Sequence, residues 1–151
     1  MISSLMFSSM LSSQANAFGF SWSKNKLRDV QIIVENNAND FSAVEMDLVF
    51  VMDENLANKK TFAEMSNQLY FQDKQVLLMN YGPGINVVNL QMPPGFTAEE
   101  IKLPKGHKQA YRVLVFTNFI QKLDEPMPTD ISDIKKLRIH VKGSQLDLTE
   151  L

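Results

Sequence analysis

"QAYRVLVFTNFI" (109–120) is the longest apolar stretch of the chain that keeps a period of two. Tyr111, Val113, Val115, Thr117 and Phe119 fall on one face, and Arg112, Leu114, Phe116 and Asn118 on the other. Side chains of an extended strand alternate between the two sides of its sheet, so a strand that is apolar on both sides needs a cover on both. The stretch is expected at the centre of a sheet, and the rest of the sequence must supply its neighbours and covers.

Working outward, "LRDVQIIVE" (27–35) places Val30, Ile32 and Val34 on one face of a half-buried strand. "VEMDLVFVM" (44–52) puts Val44, Met46, Leu48, Phe50 and Met52 opposite Glu45, Asp47, Val49 and Val51, so its second half is expected to be covered on both sides. "INVVNLQM" (85–92), "EEIKLP" (99–104), "KKLRIHVK" (135–142) and "QLDLTEL" (145–151) read as further strands, the last two as a hairpin about Gly143-Ser144. "NNANDFSA" (36–43) separates the first two strands with residues that favour turns, and Pro93-Pro94-Gly95 stops a ladder. The period changes once, in "NLANKKTFAEMSNQLYF" (55–71), where Phe62, Met65 and Leu69, with Ala63 and Tyr70 beside them, predict one amphipathic helix from Lys60 to Tyr70. "QVLLMN" (75–80) is too short to separate a buried strand from a helical turn. Seven to eight short strands and one inserted helix predict an all-β, two-sheet β-sandwich over residues 27–151.

Composition narrows the function. A chain of 151 residues with 44% hydrophobic residues supports one domain with a real core, and a net charge of −2 gives no electrostatic drive toward nucleic acid. With no cysteine there is no disulfide, thiolate metal site, cysteine nucleophile or thioether-linked lipid anchor. No stretch reaches the roughly 20 consecutive apolar residues of a membrane-spanning helix.

Residues 1–17 admit two readings. Ile2, Leu5, Met6, Phe7, Met10 and Leu11 are interrupted only by Ser, and Ala15-Asn16-Ala17 offers the small-x-small pattern of signal cleavage, which points to export. No Lys or Arg precedes Lys24, which leaves open a disordered or partner-docking tail. Residues 18–26 are expected to form a flexible lead.

No catalytic set assembles in the sequence. His107 and His140 do not stand at metal-ligand spacing, Gly82-Pro83-Gly84 lacks the Lys-Ser/Thr of a phosphate loop, and "NNAND" lacks the glycine and distal glutamate of a calcium loop. No enzyme activity, metal or cofactor is therefore expected, and among the nine methionines Met46, Met52 and Met65, at core-facing spacing, read as core filler. Two other classes stay in view: a small-ligand or glycan-binding sandwich that stacks on Tyr81, Trp22 or Tyr111, and a hydrolase built on Asp130, Asp133 and His140.

The succession "SAVEMDLVFVMDE", "KKTFAEMSNQLYF" and "NVVNLQMPPGFTAEEIKLPKGHKQAYRVLVFTNFI" resembles the TssJ family, small outer-membrane lipoproteins of the bacterial type VI secretion system. The resemblance runs over roughly residues 27 to 150 and rests on pattern. It implies a transthyretin-like sandwich with an added helix, located in the periplasm, and a structural role: docking on the periplasmic C-terminal region of TssM, the inner-membrane component. In the family the loop between the first two strands is associated with that contact, which transfers here to Asn37, Asn39, Asp40 and Phe41. Phe41 can act as a buried anchor in a partner or tuck back onto its own core. The sequence departs from the family in having no acylated cysteine, with Gln14 where one would stand, so a soluble periplasmic protein without its own lipid is expected.

Overall fold

The computed structural model describes residues 24–121 and 127–151. The signal-like residues 1–17 and Trp22 lie outside them, as does Pro126. Eight strands form two four-stranded sheets. In chain order they are β1 (Asp29–Val34), β2 (Val44–Val51), β3 (Ile85–Met92), β4 (Thr97–Ala98), β5 (Arg112–Asn118), β6 (Thr129–Asp130), β7 (Lys136–Lys142) and β8 (Gln145–Glu150). One sheet runs β4-β1-β7-β8 and the other β3-β2-β5-β6. Pairing is antiparallel throughout except for β1 with β7, which run parallel from Asp29↔Lys136 to Val34↔Val141.

The expected faces meet between the sheets. Val30, Ile32 and Val34 of β1 and Leu137, Ile139 and Val141 of β7 pack against Val44, Met46, Leu48 and Phe50 of β2 and Val113 and Val115 of β5. Each of these side chains is essentially inaccessible to water, and full burial of one such side chain contributes about 1.5–3 kcal/mol.

A second apolar layer covers the other side of β2 and β5. Val49, Val51, Leu114 and Phe116 are buried there beneath Leu56, Phe62, Tyr70 and Leu77. This explains why 109–120 is apolar on both faces: β5 sits between β2 and β6 with the opposite sheet on one side and helices on the other.

The helical cover differs from the single helix expected over Lys60–Tyr70. It comprises α1 (Glu54–Asn58), α2 (Lys60–Ala63) and the longer α3 (Asn67–Tyr81). The expected helix breaks at Ser66, whose extended backbone and side-chain oxygen, accepting from the Leu69 amide at 3.2 Å, start α3 anew. Asp53 caps α1 in the same way through the Leu56 amide. "QVLLMN" is therefore helix, and Leu69, expected inward, is exposed because the new start turns Tyr70 toward the sheet.

Two further expectations change. Residues 99–104 form no strand; only Ile101 is anchored, its amide bonded to the Val30 carbonyl, while the two-residue β4 lies just before them. Residues 25 and 26, expected within a flexible lead, are tied to the sandwich. Asn25 is buried, donates its side-chain amide to the Ala110 and His107 carbonyls and accepts from the Leu27 amide.

Candidate functional site

One end of the sandwich gathers four connections: the β1–β2 loop, the turn after β3, the segment after β5 and the β7–β8 hairpin. The pairs Val34↔Val141, Val44↔Met92, Glu45↔Asn118 and Lys142↔Gln145 bring them together. The β1–β2 loop stands at the centre of this end.

Its backbone is unusual. Asn39, Asp40 and Phe41 have φ of 49°, 55° and 60°, three successive residues in the left-handed region. For L-residues that region costs about 1–2 kcal/mol each, less for Asn and Asp, whose short polar side chains bond locally, and Phe has no such relief. The surrounding bonds that hold the turn come from Asn39. Its side-chain amide donates to the Ala43 carbonyl and its side-chain oxygen accepts from the Ile120 amide, both at 2.7 Å. Its backbone amide donates to the Gly143 carbonyl at 2.8 Å, and its carbonyl accepts from Ser42. Asn39 thus ties its own loop to the segment after β5 and to the β7–β8 hairpin.

The four residues assigned to partner contact therefore separate by role. Asn39 is buried, and its side chain is spent on bonds that clamp the loop. Asn37 and Asp40 are exposed and line an open depression of about 380 Å³ with Gln121, Lys142 and Ser144. Phe41 does not tuck back: 73% of it faces water. Ile120, next to the Asn39 clamp, is 58% exposed, so the same end offers a second apolar side chain.

The neighbouring turn is fitted closely to this loop. Gly95 has φ of 79°, and a Cβ there would stand 2.6 Å from the Asn36 side-chain oxygen. Around the rim, His140 lies 3.2 Å from Glu35, and Lys142 lies 3.0 Å from Asp147. The hydrogen bond and charge of Asp147 hold the Lys142 ammonium above its ordinary pKa.

The residues of the other readings do not converge. Asp130 accepts from the Ser132 amide and hydroxyl and pairs with Arg112, whereas His140 sits in the other sheet with Glu35. Tyr81 rests edge-on against Phe62, and Tyr111 lies under the Lys24 ammonium at 3.5 Å. Among the described residues no group of three acidic, His or Cys side chains could hold a metal ion, and no helix is long and apolar enough to cross a membrane.

A second polar feature went unread in the sequence. Asp47 of β2 is fully buried beneath α3, 2.7 Å from both the Lys74 ammonium and the Tyr70 hydroxyl, and it also accepts from Asn89. Tyr70 stacks on Phe116 at 3.9 Å between ring centroids. Burial, and then the adjacent Asp47 carboxylate, push the Tyr70 hydroxyl far above its ordinary pKa. An acid inside a nearly continuous apolar strand was the available signal; its partners lie 23 to 42 residues away.

No family model and no curated protein matches the sequence. Solved structures do match the fold. The type VI lipoprotein TssJ1 from Pseudomonas aeruginosa superposes with a TM-score of 0.61 at 11% identity, over 85% of this chain and 98% of that one. The fold is TssJ-like. Lip from Serratia marcescens, described as a membrane-bound component of the type VI secretion system, gives 0.60 at 9% identity, over 82% of this chain and 96% of its own. A chain of the structure described as the TssM C-terminal domain from EAEC, a protein of the same system, gives 0.58 at 16% identity, over 82% and 97%. At these identities the shared property is the fold.

Proposed function

We propose that this chain is a structural component of a type VI secretion envelope complex, exported to the periplasm and docking on the periplasmic C-terminal region of a TssM-like inner-membrane protein. The observation that carries the reading is Phe41: an aromatic side chain held in the left-handed region and largely exposed, at one end of a fold shared with type VI lipoproteins. Strain held in place by neighbouring bonds and unrewarded by burial is a mark of a functional segment. In the docked state Phe41 enters an apolar pocket of the partner and Asn37 and Asp40 supply directed hydrogen bonds around it, the anchor-and-rim arrangement of protein interfaces. Residues 1–17 act as the export signal in this reading, and the fold works as a scaffold without catalysis.

The test is co-purification of the full chain with the periplasmic region of the host's TssM-like protein, beside a Phe41→Asp variant. Binding by the parent and loss by a variant with unchanged melting behaviour is expected. Equal binding by both would remove the loop from the interface, and no binding by the parent would remove the partner. Sequencing the N-terminus of exported protein is expected to find a start near Phe18; an intact Met1 in the exported protein would refute the signal reading.

A further inference from the structure

Two open sheets have four edges, and three are protected against pairing with another chain. β4 and β6 are two residues long, and β8 carries Asp147 and Glu150, with Asp147 paired to Lys142. Short length and charge are standard ways of blunting an edge. β3 has neither. It runs for eight residues, Ile85–Met92, pairs continuously with β2 from Val51↔Ile85 to Val44↔Met92 without a bulge, and has no paired strand on its other side among the described residues. Its sequence, INVVNLQM, contains no charge, no proline and no glycine. Val88 and Leu90 on its inner face pack against the core but stay only partly buried.

We propose that β3 is a self-association edge, at which two copies of this chain pair antiparallel about a two-fold axis and join their β3-β2-β5-β6 sheets into one of eight strands. The choice of a second copy rests on self-complementarity. An axis normal to the sheet pairs residues that share a face, as an isologous interface requires. Centred on Asn89, it sets Val88 beside Leu90 of the mate, Asn86 beside Met92 and Val87 beside Gln91. The apolar Val88 and Leu90 meet their counterparts, and nowhere does a charge face its like. The same operation centred on Asp147 of β8 would set that carboxylate against its copy. The nearest acids to the β3 edge, Glu45 and Asp47, stand one strand further in and accept hydrogen bonds from Gln91 and Asn89. The inference stands apart from the docking end, since Phe41 lies in a loop and not on this edge.

The test uses the full chain and exploits its lack of cysteine. Residues directly opposite in an antiparallel pair have Cα atoms about 4.5–5.5 Å apart, within reach of a disulfide. Asn89→Cys should therefore link to its own mate on mild oxidation, while Asn86→Cys on the same strand and Thr149→Cys on β8 should not. The double variant Val87→Cys/Gln91→Cys leaves Asn89 in place and should also link two copies, which covers the case in which Asn89→Cys does not fold. Sedimentation of the parent should show a rise to twice the monomer mass with concentration. A mass that stays monomeric overturns the proposal, as it would if residues 1–23 or a strand of another protein covered the edge. Dimers that cross-link through position 86 or 149 in place of 89 overturn it equally.

Discussion

Phe41 and Asp47 stand six residues apart, and each breaks the rule that apolar groups go inside and polar ones out. Asp47 is a carboxylate with no exposure, yet an ammonium, a hydroxyl and a side-chain amide meet it. Phe41 is an aromatic at 73% exposure on a backbone that disfavours it, and nothing in the described structure rewards the arrangement. Buried polar groups that are fully satisfied lock neighbouring elements together, and here the lock joins α3 to β2 and β3. On the proposed reading, the uncompensated violation at Phe41 is held for a partner outside the molecule. The contrast is between a satisfied exception and an unsatisfied one.

The sharpest way to break the comparison is at Asp47. Asp47→Ala strands the Lys74, Tyr70 and Asn89 donors and should cost about 3–5 kcal/mol in urea unfolding, the range for breaking a buried charge pair. A loss below about 1 kcal/mol would mean that the cluster does not pin the helix. Tyr70→Phe removes one hydrogen bond to a charged acceptor and should cost about 1.5–3 kcal/mol. It also changes the alkaline limb. Because the folded pKa of Tyr70 is raised, the folded state binds this proton more tightly, so its contribution is complete below the unfolded value of 10.0 and is lost as pH rises above it. The parent should therefore lose stability above that pH more steeply than Tyr70→Phe. Gly95→Ala forces a Cβ against Asn36 at a positive φ and should cost about 1–2 kcal/mol, visible as a lowered melting temperature. The smallest effect has the opposite sign: Phe41→Gly relieves the left-handed backbone and should raise stability by about 1 kcal/mol.

The strands were legible because their signal is local. Val30, Ile32 and Val34, or Val44 through Phe50, announce their inner face by alternation alone, and the hairpin of β7 and β8 follows from Gly143-Ser144. The helical cover was less legible, since α3 carries apolar residues around its girth: Tyr70 and Leu77 are buried while Leu69, Val76 and Met79 are exposed. Periodicity cannot choose a face there, and the Ser66 cap that restarts the helix is a single residue in an apolar pattern. In the β1–β2 loop the turn was legible from its Asn and Asp content. The division of labour was not, because Asn39 bonds to the Ile120 amide, 81 residues away, and to the still more distant Gly143 carbonyl. "EEIKLP" alternates like a strand but buries only Ile101 fully, with Leu103 partly buried against the core.

The central claim is that Phe41 is held out for a partner. The most direct measurement is a binding titration of the parent and Phe41→Gly against the periplasmic C-terminal region of a TssM-like protein, run beside their melting curves. The account predicts that Phe41→Gly melts higher than the parent and binds at least tenfold more weakly, about 1.4 kcal/mol or more. A variant that melts lower and binds as well as the parent would show that Phe41 serves the fold and that the partner surface lies elsewhere.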